Sequence, residues 1–301
     1  MSASVGNVIE DLQAIAGYDG PWRRLREEGA LLRTRIVELR ERNERLDDVL
    51  VIALVGGSGV GKSTLLNALA GDELARTSAM RPCTAQPTIY EPPGTTIDVG
   101  DARRVSGSAL EHLVIVDTPD SDTVVREHRQ RVVKVLEQCD LVLLCGSAEK
   151  YLDDATWSLL RPLQRERTVV CVETKADLGA DIKAHWLSNL AAHGFKPAGY
   201  FRVNARRSFD RKVHGGQPGA DEHDFPELEA YLARELNAER IARIKRSNAA
   251  GLLSKTVARL QQRASEAAPA IAKLRSQLRA CDREVTELTL EHVRDRLFAE
   301  P

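Results

Sequence analysis

Nine consecutive residues, Gly56-Gly57-Ser58-Gly59-Val60-Gly61-Lys62-Ser63-Thr64, constrain the fold of this chain more than any other feature. They follow the apolar segment 49–55, which is typical of a strand buried on both faces in a parallel sheet. Residues 63–70 after them favour a helix. Glycines let successive backbone N–H groups turn inward around a phosphate at a helix N-terminus, whose dipole attracts anions. The segment therefore predicts a phosphate-binding loop of the GxxxxGKS type, or P-loop.

Two side chains of this loop carry predicted chemistry. Lys62 is expected to reach the β and γ phosphates of a nucleoside triphosphate, where its charge supports both binding and catalysis. The hydroxyl of Ser63 is expected to hold Mg²⁺. The phosphate-binding residues that we predict are Gly56, Ser58, Gly59, Val60, Gly61, Lys62, Ser63 and Thr64.

A carboxylate follows the next apolar run, at residues 113–116. The sequence there is Asp117-Thr118-Pro119-Asp120. Ligands of open parallel sheets collect at the carboxyl ends of the strands, so Asp117 is placed to join the Mg²⁺ shell and assist catalysis. The turn after Asp117 is then expected to approach the γ phosphate.

The base is predicted from Thr174-Lys175-Ala176-Asp177, directly after the apolar run 169–172. The Asp177 carboxylate can accept both N1–H and N2–H of guanine, whereas adenine has no matching pair of donors on that edge. The aliphatic stem of Lys175 is expected to cover the purine face. GTP and GDP with Mg²⁺ are the predicted ligands; ATP is the less favoured alternative.

These three segments resemble the G1, G3 and G4 motifs of the translation-factor-related GTPases, and the resemblance covers about residues 49–205. Thr174 stands where most members have Asn, and its hydroxyl is expected to tie this loop to the P-loop. Asn204-Ala205-Arg206 occupies the place of the G5 motif. The resemblance thus implies that Asn204 and Ala205 line the base, with the Ala205 N–H on guanine O6.

Residues 81–88, RPCTAQPT, resemble the RPxT switch of bacterial dynamin-like GTPases. The resemblance implies that Thr84 closes over Mg²⁺ and the γ phosphate as a catalytic and metal-binding residue, with Thr88 as the alternative. It also implies pairing of two G domains as a homodimer. The chain departs from the family where Asp120 replaces a glycine, and its negative charge is expected to oppose charge neutralisation near the γ phosphate.

Strand and helix alternate along the central part of the chain. Beside 49–55, 113–116 and 169–172, strands are predicted at 88–91, 141–145 and 200–203, with helices at 124–139, 153–165 and 181–193. This order predicts an α/β fold with a Ras-like, doubly wound, mostly parallel sheet. Residues 206–226, rich in Gly, Asp, His and Pro, are expected to form a surface loop.

The flanking regions have helical periodicity. Leu25, Leu32, Ile36, Leu39 and Leu46 predict one N-terminal amphipathic helix, and the apolar pattern after Pro226 predicts a helical stalk with a kink or break at Pro269. The predicted domains are an N-terminal helical segment at 1–47, a GTPase domain at 48–225, and a stalk at 226–301 that packs with the N-terminal helix. The helical pattern runs to Leu297 with no closing cap, which is compatible with a longer parent chain as well as with an end at Pro301.

Charge and cysteine content limit the partners and the compartment. The 43 basic and 44 acidic residues almost cancel, so sequence-specific nucleic-acid binding is not expected. Segment 240–265 has seven basic residues and no acid, which suits a solvated helix face, an anionic membrane surface or an RNA backbone. Five widely spaced cysteines suit reduced thiols in the cytoplasm, the location we predict, with peripheral membrane attachment as an extension.

The sequence thus predicts an enzyme that hydrolyses GTP to GDP and phosphate, acting as a dynamin-like switch or mechanochemical GTPase through its stalk. Hydrolysis is expected to be slow in the isolated chain and to be stimulated by dimerisation or a partner. The alternative is a GTP-gated scaffold with negligible hydrolysis. A P-loop ATPase is the less favoured second alternative.

Overall fold

The computed structural model describes residues 2–20, 23–44, 49–75, 86–95, 97, 101–107, 110, 112–120 and 126–298. It divides into two compact units, Met1–Leu252 and Leu253–Pro301. The first unit contains the sheet and its surrounding helices. The described part of the second unit is a single helical segment, residues 253–298.

A seven-stranded sheet forms the centre of the first unit. Its strands are β1 (Leu50–Val55), β2 (Thr88–Glu91), β3 (Arg103–Ser106), β4 (Leu113–Asp117), β5 (Leu141–Gly146), β6 (Thr168–Glu173) and β7 (Gly199–Arg202), in the order β3-β2-β4-β1-β5-β6-β7. β1 is parallel to β4 and β5, and β6 and β7 continue the parallel order. β2 is antiparallel to β4. The predicted doubly wound, mostly parallel sheet is confirmed.

Helices cover both faces of the sheet. They are α1 (Ser2–Ala16), α2 (Arg23–Glu44), α3 (Lys62–Ala70), α4 (Arg126–Gln138), α5 (Asp154–Leu160), α6 (Lys183–Ala192), α7 (Ala205–His214), α8 (Phe225–Ala230) and α9 (Ala238–Phe298). Alternate residues of β1 enter two separate apolar cores: Leu50, Ile52 and Leu54 face one core, and Val51, Ala53 and Val55 face the other. This two-sided burial explains why β1 is apolar throughout.

The structure differs from the sequence-based predictions at three local elements. Residues 206–226 are largely helical, because α7 packs on α3, where Lys212 Nζ donates to the Leu69 carbonyl at 3.2 Å. The amphipathic helix predicted from Leu25 to Leu46 corresponds to α2, and α1 precedes it as a second helix that was not predicted. Finally, α9 passes through Pro269 without a break, while the kink that was expected as the alternative stays a prediction. A proline removes one backbone hydrogen bond, and the neighbouring turns of a long helix keep theirs.

The beginning of α9, up to Leu252, belongs to the first unit and is held there by polar contacts. Asn248 Nδ2 donates to the Asp140 carbonyl at 2.6 Å, and the buried Lys245 lies 3.9 Å from the Asp140 carboxylate. On α2, Glu38 pairs with Arg167 at 3.8 Å, beside the start of β6. The compact units therefore divide after Leu252, and the predicted boundaries at 47/48 and 225/226, like the packing of the stalk on the N-terminal helix, stay predictions.

Gly251 is expected to be essential for this docking. A methyl group at Gly251 would lie 1.6 Å from the carbonyl oxygen of Arg165. Gly251→Ala regains about 1 kcal/mol of helix propensity but incurs an overpacking cost of about 1–3 kcal/mol. At so short a distance the clash dominates, so the midpoint of urea unfolding should fall. Ala250→Ser, at the exposed neighbouring position, is the matched control, and a Gly251→Ala variant at least as stable as the parent would contradict the packing argument.

In the part of the chain that the structure describes, no helix combines the length and the apolar character that crossing a membrane requires.

Candidate nucleotide-binding site

The predicted P-loop connects β1 to α3 at the carboxyl end of the sheet. Gly59 and Gly61 have φ angles of 76° and 95°, a region that side chains with a Cβ rarely adopt. A Cβ at Gly56 would lie 2.3 Å from the Cys145 carbonyl oxygen. Three of the glycines are therefore needed for the path of the backbone itself.

Lys62 lies at the start of α3 with its side chain almost fully buried. Its Nζ donates to the carbonyl of Gly56 at 2.8 Å, to the carbonyl of Gly57 at 3.1 Å, and to Asp120 Oδ1 at 2.9 Å. The side chains of Lys62 and Asp120 are 4% and 13% exposed. The ammonium group therefore joins the P-loop to the turn that follows β4.

Ser63 and Asp117 meet beside this lysine. The Ser63 hydroxyl donates to Asp117 Oδ2 at 2.6 Å, and Asp117 is aligned with Leu54 of β1 in the parallel ladder. Asp117 is fully buried, and its Oδ1 atom has no hydrogen-bond partner among the described residues. Burial raises the pKa of Asp117 to about 6, while the nearby Lys62 opposes the rise.

This pair fits a magnesium ion. Mg²⁺ prefers oxygen ligands, and the chain offers a hydroxyl and a carboxylate whose second oxygen is buried and unsatisfied. A cation here would compensate the burial of the carboxylate charge. Ser63 and Asp117 are thus brought together as predicted.

The predicted threonine Thr84 lies outside the described residues, as does the end of the 117–123 turn. The alternative, Thr88, is buried in β2 and is paired with Asp117 in the antiparallel ladder. Next to Asp117, the Thr118 hydroxyl donates to the Leu54 carbonyl at 2.7 Å, which fixes the start of the turn.

The predicted base loop lies against the P-loop. The Thr174 hydroxyl has two acceptors, the carbonyl of Val60 in a short hydrogen bond and the carbonyl of Gly146 at 2.9 Å. The expected tie between the two loops is therefore present in the structure. Lys175 adopts a left-handed φ of 55°, and Asp177 is exposed. A turn of this kind leaves the carboxylate of Asp177 free to meet a base.

The predicted G5 segment is next to this loop. The Ala176 N–H donates to the Val203 carbonyl at 3.1 Å, which holds the end of β7 beside the base loop. Asn204 caps α7 by accepting from the Arg207 N–H at 3.1 Å, and Ala205 is buried. The predicted nucleotide contacts of Asn204 and Ala205, like those of the other loop residues, stay predictions.

Sequence reasoning missed the residues that support the base loop from behind. Arg202 Nη2 donates to the carbonyls of Ala176 and Gly179, each at 2.8 Å, so it bridges both sides of Asp177. Its Nε donates at 2.9 Å to the buried Glu173, which also accepts a short hydrogen bond from Tyr200. Since these residues lie on two strands, no local pattern in the sequence indicates the network.

Arg202→Ala is expected to reduce the preference of the site for guanine over other bases. Without the guanidinium, the carbonyls on both sides of Asp177 lose their donor, so the carboxylate is held less firmly. The affinity for GTP should fall about tenfold, and that for inosine triphosphate should fall less because this base lacks the N2–H donors. Calorimetric titration gives both constants, with Arg161→Ala as the exposed control. Equal losses for both nucleotides would show that Arg202 supports only folding.

These loops, gathered at the carboxyl edge of one mostly parallel sheet, define a P-loop GTPase domain, whose ligands are GTP and GDP with Mg²⁺. Residues 51–175 match the family model described as 50S ribosome-binding GTPase. The comparison places the match on the segment that carries the P-loop, Asp117 and the beginning of the base loop.

Curated relatives are tRNA modification GTPases MnmE. That of Nitrosomonas eutropha is 29% identical over 150 residues, which are 49% of this chain and 31% of the relative. That of Acidiphilium cryptum is 33% identical over 156 residues, or 50% of this chain and 31% of the relative. The similarity thus spans about a third of these relatives.

A solved structure is similar over more of the chain. It is described as an oligomerised bacterial dynamin pair that provides a mechanism for the long range sensing and tethering of membranes. The similarity covers 98% of this chain and 53% of that one, with a TM-score of 0.53 and 16% sequence identity. At this identity the likeness concerns the fold alone.

Proposed function

We propose that this protein is a nucleotide switch that hydrolyses GTP to GDP and phosphate, slowly as a single G domain and faster when two G domains pair. The observation that carries the proposal is the hydrogen bond between Ser63 and Asp117 at the sheet edge, beside the ammonium group of Lys62. The neighbouring base loop, tied to the P-loop by Thr174, supplies the preference for guanine.

Positioning and charge neutralisation account for the proposed reaction. Lys62 would bind the β and γ phosphates, and Ser63 and Asp117 would hold Mg²⁺. When bound, the ion neutralises charge that develops on the phosphate oxygens. Thr84 and the turn after Asp117 would sense the γ phosphate by ordering their loops.

Pairing of G domains is proposed because the sequence does not identify the group that orients the attacking water. The residues after Asp117 are Thr118, Pro119 and Asp120, and no glutamine is present there to orient the attacking water. Thr84, a backbone group or a residue of a second copy would supply this function. The similar solved structure is described as oligomerised, and the pairing proposed for this chain is likewise an association between copies.

The second compact unit supports a helical partner for the proposed stalk. Along residues 253–288, apolar or small side chains recur at alternating intervals of three and four, the spacing of a coiled-coil seam. Four of them, all well exposed, are Leu274, Leu278, Val285 and Leu288, at 59%, 64%, 57% and 59% exposure. A monomer rarely exposes so regular an apolar stripe, so a partner helix is expected to cover it.

The basic segment 240–265 gives weaker support to membrane binding. Arg240 pairs with Glu235 at 3.1 Å, Arg243 with Glu239 at 2.8 Å and Arg263 with Glu266 at 3.0 Å. Lys245 is buried. These acids reduce the positive charge offered to anionic lipids, so a helical partner is the favoured extension of the proposal. We place the protein in the cytoplasm, with peripheral attachment as the extension.

Phosphate release measured over a wide range of protein concentration tests the proposal. The specific activity with GTP is expected to rise with concentration and to be absent with ATP. The double variant Leu274→Asp, Leu278→Asp should keep the GTP affinity of the parent. If the specific activity of this variant no longer rises with concentration, the helix brings two copies together. If it still rises, the pairing is made by the G domains. Specific activity that is constant with concentration would overturn the pairing.

A second function, a GTP-gated scaffold with negligible hydrolysis, is favoured by one observation. Asp120, which replaces the glycine of related switches, is ion-paired with Lys62 at 2.9 Å. A carboxylate at this point opposes the approach of a γ phosphate. Tight GTP binding with no turnover at any protein concentration would select this function over the first. The ATPase alternative is opposed by Asp177.

A further inference from the structure

All three N–H groups of the Lys62 ammonium are used in hydrogen bonds within the protein. The ammonium carries three N–H bonds, and the structure pairs it with three acceptors: the carbonyls of Gly56 and Gly57 and the carboxylate of Asp120. Asp120 is the only charged acceptor of the three. Any phosphate oxygen that binds Lys62 must therefore replace one of these partners.

The number of phosphates decides which partner is lost. Binding of GDP requires one N–H of Lys62 for the β phosphate. The hydrogen bond to the Gly57 carbonyl is the longest of the three, at 3.1 Å, and is therefore the one that breaks most readily. GTP asks for donors to both the β and γ phosphates. Two of the three present bonds must then break, and Asp120 becomes the unfavourable partner because its negative charge lies beside the arriving γ phosphate.

We infer that Asp120 determines which nucleotide the site prefers, by competing with the γ phosphate of GTP for Lys62. This inference rests on the proposed function, since it presumes guanine nucleotide binding. The competition lowers GTP affinity relative to GDP. It also links triphosphate binding to displacement of the turn that begins at Asp117, because Asp120 leaves Lys62 when the γ phosphate arrives.

The position of Asp120 connects triphosphate binding directly to the turn that begins at Asp117. Thr118 is anchored to β1 through the Leu54 carbonyl at 2.7 Å, so the start of the turn is fixed and Asp120 would move relative to Thr118. Asp117 interacts electrostatically with both Lys62 and Asp120, and the negative charge of Asp120 contributes to raising the pKa of Asp117. Because Thr118 and the β1–β4 ladder hold Asp117 in place, the proposed displacement of Asp120 is not expected to move Asp117 off β4.

The test is the ratio of GDP to GTP dissociation constants in the full chain, measured by calorimetry with Mg²⁺. Asp120→Asn keeps an acceptor for Lys62 and removes the charge. It is expected to tighten GTP binding about tenfold and GDP binding by less than about threefold. Asp120→Glu, which keeps the charge, should leave the ratio near that of the parent, and Asp72→Asn is an exposed control.

The outcomes separate this inference from the function on which it rests. A parent chain that binds guanine and adenine nucleotides equally would remove the proposed function itself. An Asp120→Asn variant whose two affinities change equally, or whose GTP binding weakens, would overturn the inference alone, whichever nucleotide the parent prefers. Because the ratio is taken on folded protein, a lower melting temperature of the variant does not affect it.

Discussion

Lys62→Ala is expected to weaken GTP binding about a hundredfold to a thousandfold, the largest effect of any single change in the phosphate site. Two charge-assisted hydrogen bonds to the phosphates are lost, each worth about 1.5–3 kcal/mol. The same change removes the cation that pairs with Asp120, so this carboxylate then faces the triphosphate without compensation. A factor of a hundred corresponds to about 2.7 kcal/mol.

Calorimetry with GTP and Mg²⁺ measures this loss. Lys62→Met keeps the aliphatic stem and reports whether the loss comes from the charge or from collapse of the P-loop, whose Gly56 and Gly57 carbonyls Lys62 holds. Lys196→Ala, an exposed lysine on the same domain, serves as the control. Unchanged affinity in both Lys62 variants would mean that the glycine loop does not bind the phosphates.

Asp177→Asn is expected to move the base preference from guanine to xanthine. The Asp177 carboxylate accepts two hydrogen bonds from guanine, at N1–H and N2–H. An asparagine offers one acceptor and one donor, which match N1–H and the O2 of xanthine. The affinity for GTP should fall about a hundredfold, as expected for loss of bonds to a charged acceptor, while that for xanthosine triphosphate should rise.

Competition among GTP, xanthosine triphosphate and ATP for the site gives the measurement. Because Asp177 is exposed, the substitution is expected to leave the unfolding temperature of the unliganded protein unchanged. Glu149→Gln, at another exposed acid near the same sheet edge, is the control. A variant that keeps its guanine preference would show that another group recognises the base.

The predicted core of the fold is confirmed where the signal is local. β1, β4, β5 and β6 are apolar on both faces, and each was predicted within two residues of its bounds. β3, with the sequence Arg-Arg-Val-Ser and mostly exposed side chains, has no such signal and was not predicted. α7 was missed because Gly, Asp and His in its neighbourhood indicated a loop, whereas packing on α3 stabilises a helix there.

The sequence by itself determined the class of protein. A glycine loop between a buried strand and a helix, with carboxylates after two other buried strands, requires only residue types and spacing along the chain. These features are local, and backbone sterics and hydrophobic burial act on them in the same way in any parallel sheet.

Only the tertiary structure decided the pairings between distant segments. Lys62 and Asp120 are 58 positions apart, and Arg202 reaches across from β7 to hold the loop after β6. Hydrogen bonds and ion pairs of this kind form only at distances of about 3 Å. Strand order and register determine these distances, and the spacing of residues along the chain does not encode them.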